Sequence, residues 1–235
     1  MPILRHLANV GVLIIRKVRD VLVRDELKWL RIRRGPARGC VMAINLRQQL
    51  RVPFGLYERE IAGVVESFVM PGDCCFDIGA AFGYYTIAMA RLAAPGRVVA
   101  FEPDDLAREV LVASVKRNAD IAASVTVVPS FVSSEDDGDR TISIDGLVGA
   151  ASVPSPNVLK IDEVSAELDV LRGAQRTLEV CRPRIILEVH SLDLEEACRA
   201  FLERAGYRIR VVDQSDWLPE NRPLPHNRWL IAMPT

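Results

Sequence analysis

Asp77-Ile78-Gly79-Ala80-Ala81-Phe82-Gly83-Tyr84-Tyr85-Thr86 is the stretch that decides how this 235-residue chain reads. It closes a short apolar run, Cys74–Ile78, and opens a helical one, which makes it the turn between a buried strand and a helix. Its small residues let a ligand lie against bare backbone, and a helix start offers N–H groups with no partner inside the helix. Nineteen residues after Gly83 a second strand ends in Phe101-Glu102-Pro103. A carboxylate at that place suits the two ribose hydroxyls of a nucleoside.

Outward from this turn, strand and helix signals alternate. Arg97–Phe101, Val125–Val128, Asn157–Asp162 and Arg184–Val189 are further β-rich runs, while Ala81–Ala94, Asp104–Asn118, Ala166–Val180 and Leu192–Ala205 read as helices. Tyr207–Val212 and Arg228–Ala232 close the chain with no helix between them, which predicts an antiparallel hairpin at the sheet edge. The pattern predicts a doubly wound α/β fold with a mostly parallel seven-stranded sheet, Rossmann-like in character. Residues 129–156 are rich in Ser, Asp, Gly and Pro, an excursion with a small hairpin expected near Thr141–Ile144.

Two cofactor classes bind at such a turn. A dinucleotide expects G-x-G-x-x-G, whereas this turn spaces Gly79 and Gly83 by four and places Asp77 before them. An acid there favours a cationic ligand, and S-adenosylmethionine carries a sulfonium and an ammonium. A tight turn that binds nothing is the remaining alternative.

From Tyr57 to the C-terminus the chain resembles the FkbM family of S-adenosylmethionine-dependent methyltransferases, whose fold is the class I methyltransferase fold. Residues 77–86 resemble the family's D-V-G-A-N-I-G-Y-Y-T, and Phe101-Glu102-Pro103 its acidic second-strand motif. Val158-Leu159-Lys160-Ile161-Asp162, Ala166-Glu167 and Leu171-Arg172-Gly173-Ala174 resemble K-I-D-V-E-G-A-E-x-x-V-L-x-G-A; Ile186-Leu187-Glu188-Val189-His190 resembles the fifth strand, ending E-x-H. The resemblance implies O-methylation of a small molecule, polyketide or glycan. Asp77, Gly79, Ala80, Ala81, Gly83 and Tyr84 would line the methionine end, Glu102 and Pro103 the ribose, and Ser130 and Phe131 the adenine. Two departures stand out: Ala81 replaces an Asn, and Asp162-Glu163-Val164-Ser165 replaces D-V-E-G, moving one acid by a residue and losing a glycine.

A hydroxyl acceptor must lose its proton during methyl transfer, which calls for a positioned base. His190 is the first candidate, because imidazole titrates near neutrality and the residue ends a strand at the ligand edge. Asp162, ending the fourth strand, would orient the hydroxyl or share that role. Lys160, buried in a strand, needs a partner, and Glu188 on the next strand is the expected one. Asp162, Glu188 and His190 could also hold a divalent metal, though no metal is the expectation. A domain that binds cofactor or partner without catalysis is the competing reading.

The front of the chain differs from the rest. Residues 1–59 carry 13 basic against 4 acidic side chains, and residues 60–235 carry 17 against 27, so a net charge of -1 describes neither part. Residues 1–56 read as a basic appendage and 57–235 as the methyltransferase domain. Leu7, Val10, Ile14, Val21 and Leu22 recur near helical spacing, and Arg34-Gly35-Pro36 ends that helix. The uncharged run Leu7–Ile15 is shorter than the about 20 residues a membrane span needs, and Arg16-Lys17 follows where a signal peptide would be cleaved. Residues 1–35 are expected to pack on the domain or a second copy, or to lie on an anionic membrane. Nucleic-acid binding through Arg31, Arg33 and Arg34 is the weaker alternative. A β-like stretch at Gly39–Leu46 and a helix at Tyr57–Val69 follow. Five cysteines without metal-ligand spacing argue against a zinc site or disulfide framework and favour the cytoplasm. Trp217, His226 and Trp229 are candidates for an acceptor pocket.

Overall fold

Cys74–Ile78 (β3) is buried at all five positions, and the sheet is built outward from it. The computed structural model describes residues 24–120, 122–214 and 226–235. β3 pairs in parallel with Arg97–Phe101 (β4), and β4 pairs in parallel with Ser124–Val128 (β5). On its other side β3 pairs with Val158–Ile161 (β8), followed by Arg184–Val189 (β9), both parallel. Arg228–Pro234 (β11) runs antiparallel between β9 and Tyr207–Asp213 (β10), so the sheet has seven strands in the order β10-β11-β9-β8-β3-β4-β5. The terminal pair is the expected antiparallel hairpin, with the later strand inside and the earlier one at the edge. This is the fold class that the alternation of signals implied.

Helices cover both faces. Arg59–Phe68 (α1) and Tyr84–Ala93 (α2) share one core with Cys75, Val98, Ile186 and Trp229. Glu167–Arg172 (α5), Gln175–Cys181 (α6) and Leu192–Arg204 (α7) enclose the opposite core with Phe76, Phe101, Leu159 and Leu187. Asp105–Lys116 (α3) starts with Asp104 accepting from the Ala107 N–H, an N-cap. The chain runs β3-β4-β5 in one direction and then crosses back to β8. The ends of β3 and β8 therefore mark the switch point where a ligand cleft forms.

Three local expectations need correction. Residues 27–31 are a strand (β1, Leu27–Arg31), antiparallel to Val41–Asn45 (β2), and do not continue a helix to Arg34; the helix expected over residues 7–22 lies outside the described residues. Ile32, Met42, Ile44 and Val52 of this front segment join the core of α1 and α2. The Asn118 side chain pins it by accepting from Val41 N and donating to Val41 O, both at 2.8 Å. Near Thr141 there is no hairpin: Phe131–Val132 (β6) and Thr141–Ile142 (β7) pair in parallel, and Ile144–Gly149 (α4) follows, capped by Ser143.

The helix expected over 166–180 is broken at Gly173. Asp145 of α4 accepts from the N–H groups of Arg176 and Thr177 at 2.8 Å, which starts a new helix there. Gly173 lies so close to another segment that an added Cβ would stand 1.9 Å from the Ser133 carbonyl oxygen. Gly173→Ala should therefore cost about 1–3 kcal/mol in urea unfolding. Gly149→Ala, with nothing within 4 Å of the new carbon, should leave stability unchanged. Equal effects would show that the close approach at Gly173 is not what breaks the helix.

Candidate functional site

The turn after β3 is shaped by contacts only glycine allows. Gly79 has φ 75°, and a Cβ there would lie 2.1 Å from the Asp162 carbonyl oxygen at the end of β8. Gly83 has φ 88° and sits on Leu111 of α3, whose Cγ would be 2.9 Å from an added Cβ. Between them Ala81 holds φ 47°, the left-handed region that an asparagine tolerates better than an alanine. Ser165, standing where the resembling motif has glycine, is left-handed too, at φ 68°. Both departures thus fall at left-handed positions, which asparagine and glycine adopt more easily than alanine and serine.

Glu102 holds the turn in place. Its Oε2 accepts from Ala81 N at 2.7 Å and its Oε1 from Asp104 N at 2.8 Å, tying the β3 turn to the end of β4 beside Pro103. Ser130 is buried, and Phe131 is half-exposed on β6; neither lines the cleft.

Behind the turn lies a buried ion cluster. Asp77 is fully buried and does not line the cleft; its Oδ2 accepts from Thr86 Oγ1. Lys160 Nζ is 3.7 Å from Asp77 Oδ1 and 3.2 Å from Asp162 Oδ2, and lies 5.3 Å above the Tyr85 ring. The expected Lys160–Glu188 pair is not formed. Register explains this: Lys160 stands opposite Asp77 on β3 and opposite Ile186 on β9, while Glu188 stands opposite Trp229 on β11. Burial alone would depress the ammonium's pKa, but Asp162 and Asp77 outweigh it and push it up to about 12. Burial raises Asp77 above the ordinary carboxylate range, with Lys160 and Thr86 opposing.

At the ends of β8 and β9 the expected groups do meet. His190 Nε2 is 3.7 Å from Asp162 Oδ1 and 3.9 Å from Glu188 Oε2. Its other nitrogen, Nδ1, is 2.7 Å from Oε1 of the fully buried Glu167. A carboxylate accepts, so Nδ1 carries the hydrogen in that contact. Sequence reasoning passed over Glu167 as a site residue: it sits in a quoted motif, but nothing in one dimension brings the start of α5 to the end of β9.

Glu163, the acid that the motif's departure moves by one residue, lies beside this cluster with one carboxyl oxygen buried. Burial first, then the neighbouring Glu102 and Asp162 carboxylates, push it up to about 7.

The cleft takes in about 460 Å³ of empty space, open solvent included. Gly79 to Phe82, Lys160 and Asp162 form one side. Met42, Ala43 and Ile44 of β2, with Val52 and Tyr57, form the other, so the front segment supplies a wall of the site. The proposed acceptor aromatics are elsewhere. Trp229 is a buried core residue, His226 is bound to Glu195 at 3.0 Å, and Trp217 lies outside the described residues.

Residues 122–209 match the sequence model of the methyltransferase FkbM domain, a span that includes Asp162, Glu188 and His190 but not the Gly79 turn. No curated protein matches the chain. Among solved structures, it is similar to the precorrin-6y C5,15-methyltransferase of Geobacter metallireducens, at 20% identity over 74% of this chain and 87% of that one, with a TM-score of 0.52. The methyltransferase FkbM of Methylobacillus flagellatus matches at 20% identity over 68% and 43% of the two chains, with a TM-score of 0.54. A SAM-dependent O-methyltransferase of Thermotoga maritima matches at 15% over 75% and 64%, again with 0.54. The fold is that of class I methyltransferases, and residues 122–209 are similar to the methyltransferase FkbM domain.

Lys160→Met should destabilise the protein by about 3–5 kcal/mol, because it leaves the buried Asp77 and the partly exposed Asp162 uncompensated. Adding Asp77→Asn should recover part of that loss in denaturant titrations; no recovery would separate Lys160 from Asp77. For Glu163, raised from 4.5 to about 7, the folded protein keeps a proton that the unfolded chain has lost between those values. Stability therefore falls as pH rises through that window. Glu163→Gln should flatten the decline and raise stability at pH 8 by on the order of 1 kcal/mol. An unchanged pH profile would contradict the burial of this carboxyl.

Proposed function

We propose that this domain moves the methyl group of S-adenosylmethionine to a hydroxyl oxygen of a small molecule, polyketide or glycan. The observation that carries the reading is the convergence on the switch point of a glycine turn tied to Glu102 and the Asp162–Glu188–His190 cluster. The residues present fit the cofactor. Gly79 and Gly83 let the turn pack closely on Asp162 and Leu111, Gly79 to Phe82 line the cleft, and Glu102 keeps lone pairs for ribose hydroxyls beyond its two backbone bonds.

Bound there, the cofactor supplies an electrophilic methyl carbon on a sulfonium. Gly79, Ala80, Ala81, Gly83 and Tyr84 bound its methionine end, Asp77 acting behind them through Lys160. Pro103 would stand beside the ribose, while Ser130 and Phe131, outside the cleft lining, would approach the adenine only from beyond it. Asp162 adds negative potential suited to a cationic ligand. The chain's main work is alignment of oxygen, methyl and sulfur, since the methyl is already activated. Asp162 orients the acceptor hydroxyl, and its proton leaves into the cluster that His190, held by Glu167, completes. Met42, Ile44, Val52 and Phe82 offer an acceptor an apolar wall. Among the described residues no helix is long and apolar enough to cross a membrane.

Isothermal titration with S-adenosylmethionine tests the reading. One site per chain is expected, weakened about 10–100-fold by Glu102→Ala, which removes charged hydrogen bonds. Absence of binding, or binding that Glu102→Ala leaves untouched, would reject it.

A further inference from the structure

We infer that Asp162, Glu188 and His190 form a divalent-cation site of the Mn²⁺ or Mg²⁺ type. Its existence stands on geometry alone, while its use in methyl transfer rests on the reading above. One donor atom from each of Asp162, Glu188 and His190 lies within 4.8 Å of the other two.

The two nitrogens of one ring show what is different about this spot. Nδ1 meets Glu167 at 2.7 Å, the length of a charge-assisted hydrogen bond. Nε2 stands 3.7 and 3.9 Å from its two carboxylates and makes no hydrogen bond among the described residues, although the His190 side chain is only 7% exposed. A proton shared between Nε2 and a carboxylate would close that gap to about 2.8 Å, as it does on the other side of the ring. The gap that remains is the width of an ion. Metal–ligand bonds of about 2.0–2.2 Å place donors on different sides of one cation about 3–4.4 Å apart.

Charge argues the same way. With Nδ1 carrying the hydrogen, the Nε2 lone pair faces carboxylate oxygens of Asp162 and Glu188, a donor set that attracts a cation. Lys160 does not fill that role. It binds Asp162 through Oδ2, leaving Oδ1 to face His190. Glu167 supplies the outer carboxylate that orients a metal-bound histidine. Two oxygens and one imidazole, with no thiolate, suit an oxygen-preferring ion.

The test is titration of the full chain with Mn²⁺, followed by the loss of the free-ion electron paramagnetic resonance signal. One Mn²⁺ per chain is expected, displaced by excess Mg²⁺. Glu167→Gln should weaken it about 10–100-fold, and Glu188→Gln and His190→Ala by more. Melting curves in EDTA report whether each variant folds; where Glu188→Gln does not, Asp162→Asn, at a partly exposed position, takes its place. No stoichiometric Mn²⁺, binding indifferent to these variants, or an imidazolium ¹⁵N signature for His190 in excess Mg²⁺ would overturn the site. A parallel S-adenosylmethionine titration separates the two claims. Cofactor binding without Mn²⁺ binding rejects the ion alone, and Mn²⁺ binding without cofactor binding rejects only the methyltransferase reading.

Discussion

A single buried ammonium governs the centre of this protein. Lys160 stands between Asp77 on β3 and Asp162 at the end of β8, at 3.7 and 3.2 Å, in a place where an unpaired charge of either sign would be costly. It joins the two strands whose diverging ends create the cleft. It also fixes the direction of Asp162, turning one oxygen inward and leaving the other for the cluster with Glu188 and His190. The excess of carboxylates around one lysine gives the cleft floor its negative character, and that character is what a cationic cofactor and a metal ion would both exploit.

The rest of the architecture serves this arrangement. The turn after β3 presses Gly79 onto the carbonyl of Asp162, and Glu102 ties the same turn to β4, so three strand ends are locked to one another. The break at Gly173 places α5 separately from α6, which lets Glu167 reach His190. The front segment, although basic and outside the FkbM match, closes the cleft with β2 through the Asn118 bonds to Val41. Cleft and support are therefore one packed unit among the described residues.

Much of this was legible in the sequence, for physical reasons that also mark where reading stops. Parallel strands between helices are short apolar runs, and five of them stand out as such, four of them buried. The glycine turn and Glu102 carry local conformational and chemical demands that residue types reveal. Pairing across strands does not: Lys160 and Glu188 looked adjacent until register set Asp77 opposite the lysine. The helix over 166–180 is locally continuous, and it is a tertiary contact, the Asp145 carboxylate with the close approach of Ser133, that divides it. Leu27–Arg31 mixes apolar and basic residues, which a β-strand and the end of a basic helix share. Glu167 and Glu163 gained their importance only from burial, which no spacing shows.

The central claim is that the cleft seats S-adenosylmethionine with its reacting methyl toward Asp162, Glu188 and His190. A crystal structure with S-adenosylhomocysteine tests it most directly. The account predicts ribose hydroxyls on Glu102, the methionine end against the Gly79–Gly83 turn, and the sulfur facing the His190 cluster across open space. A nucleoside seated elsewhere, or a sulfur turned away from that cluster, would contradict it.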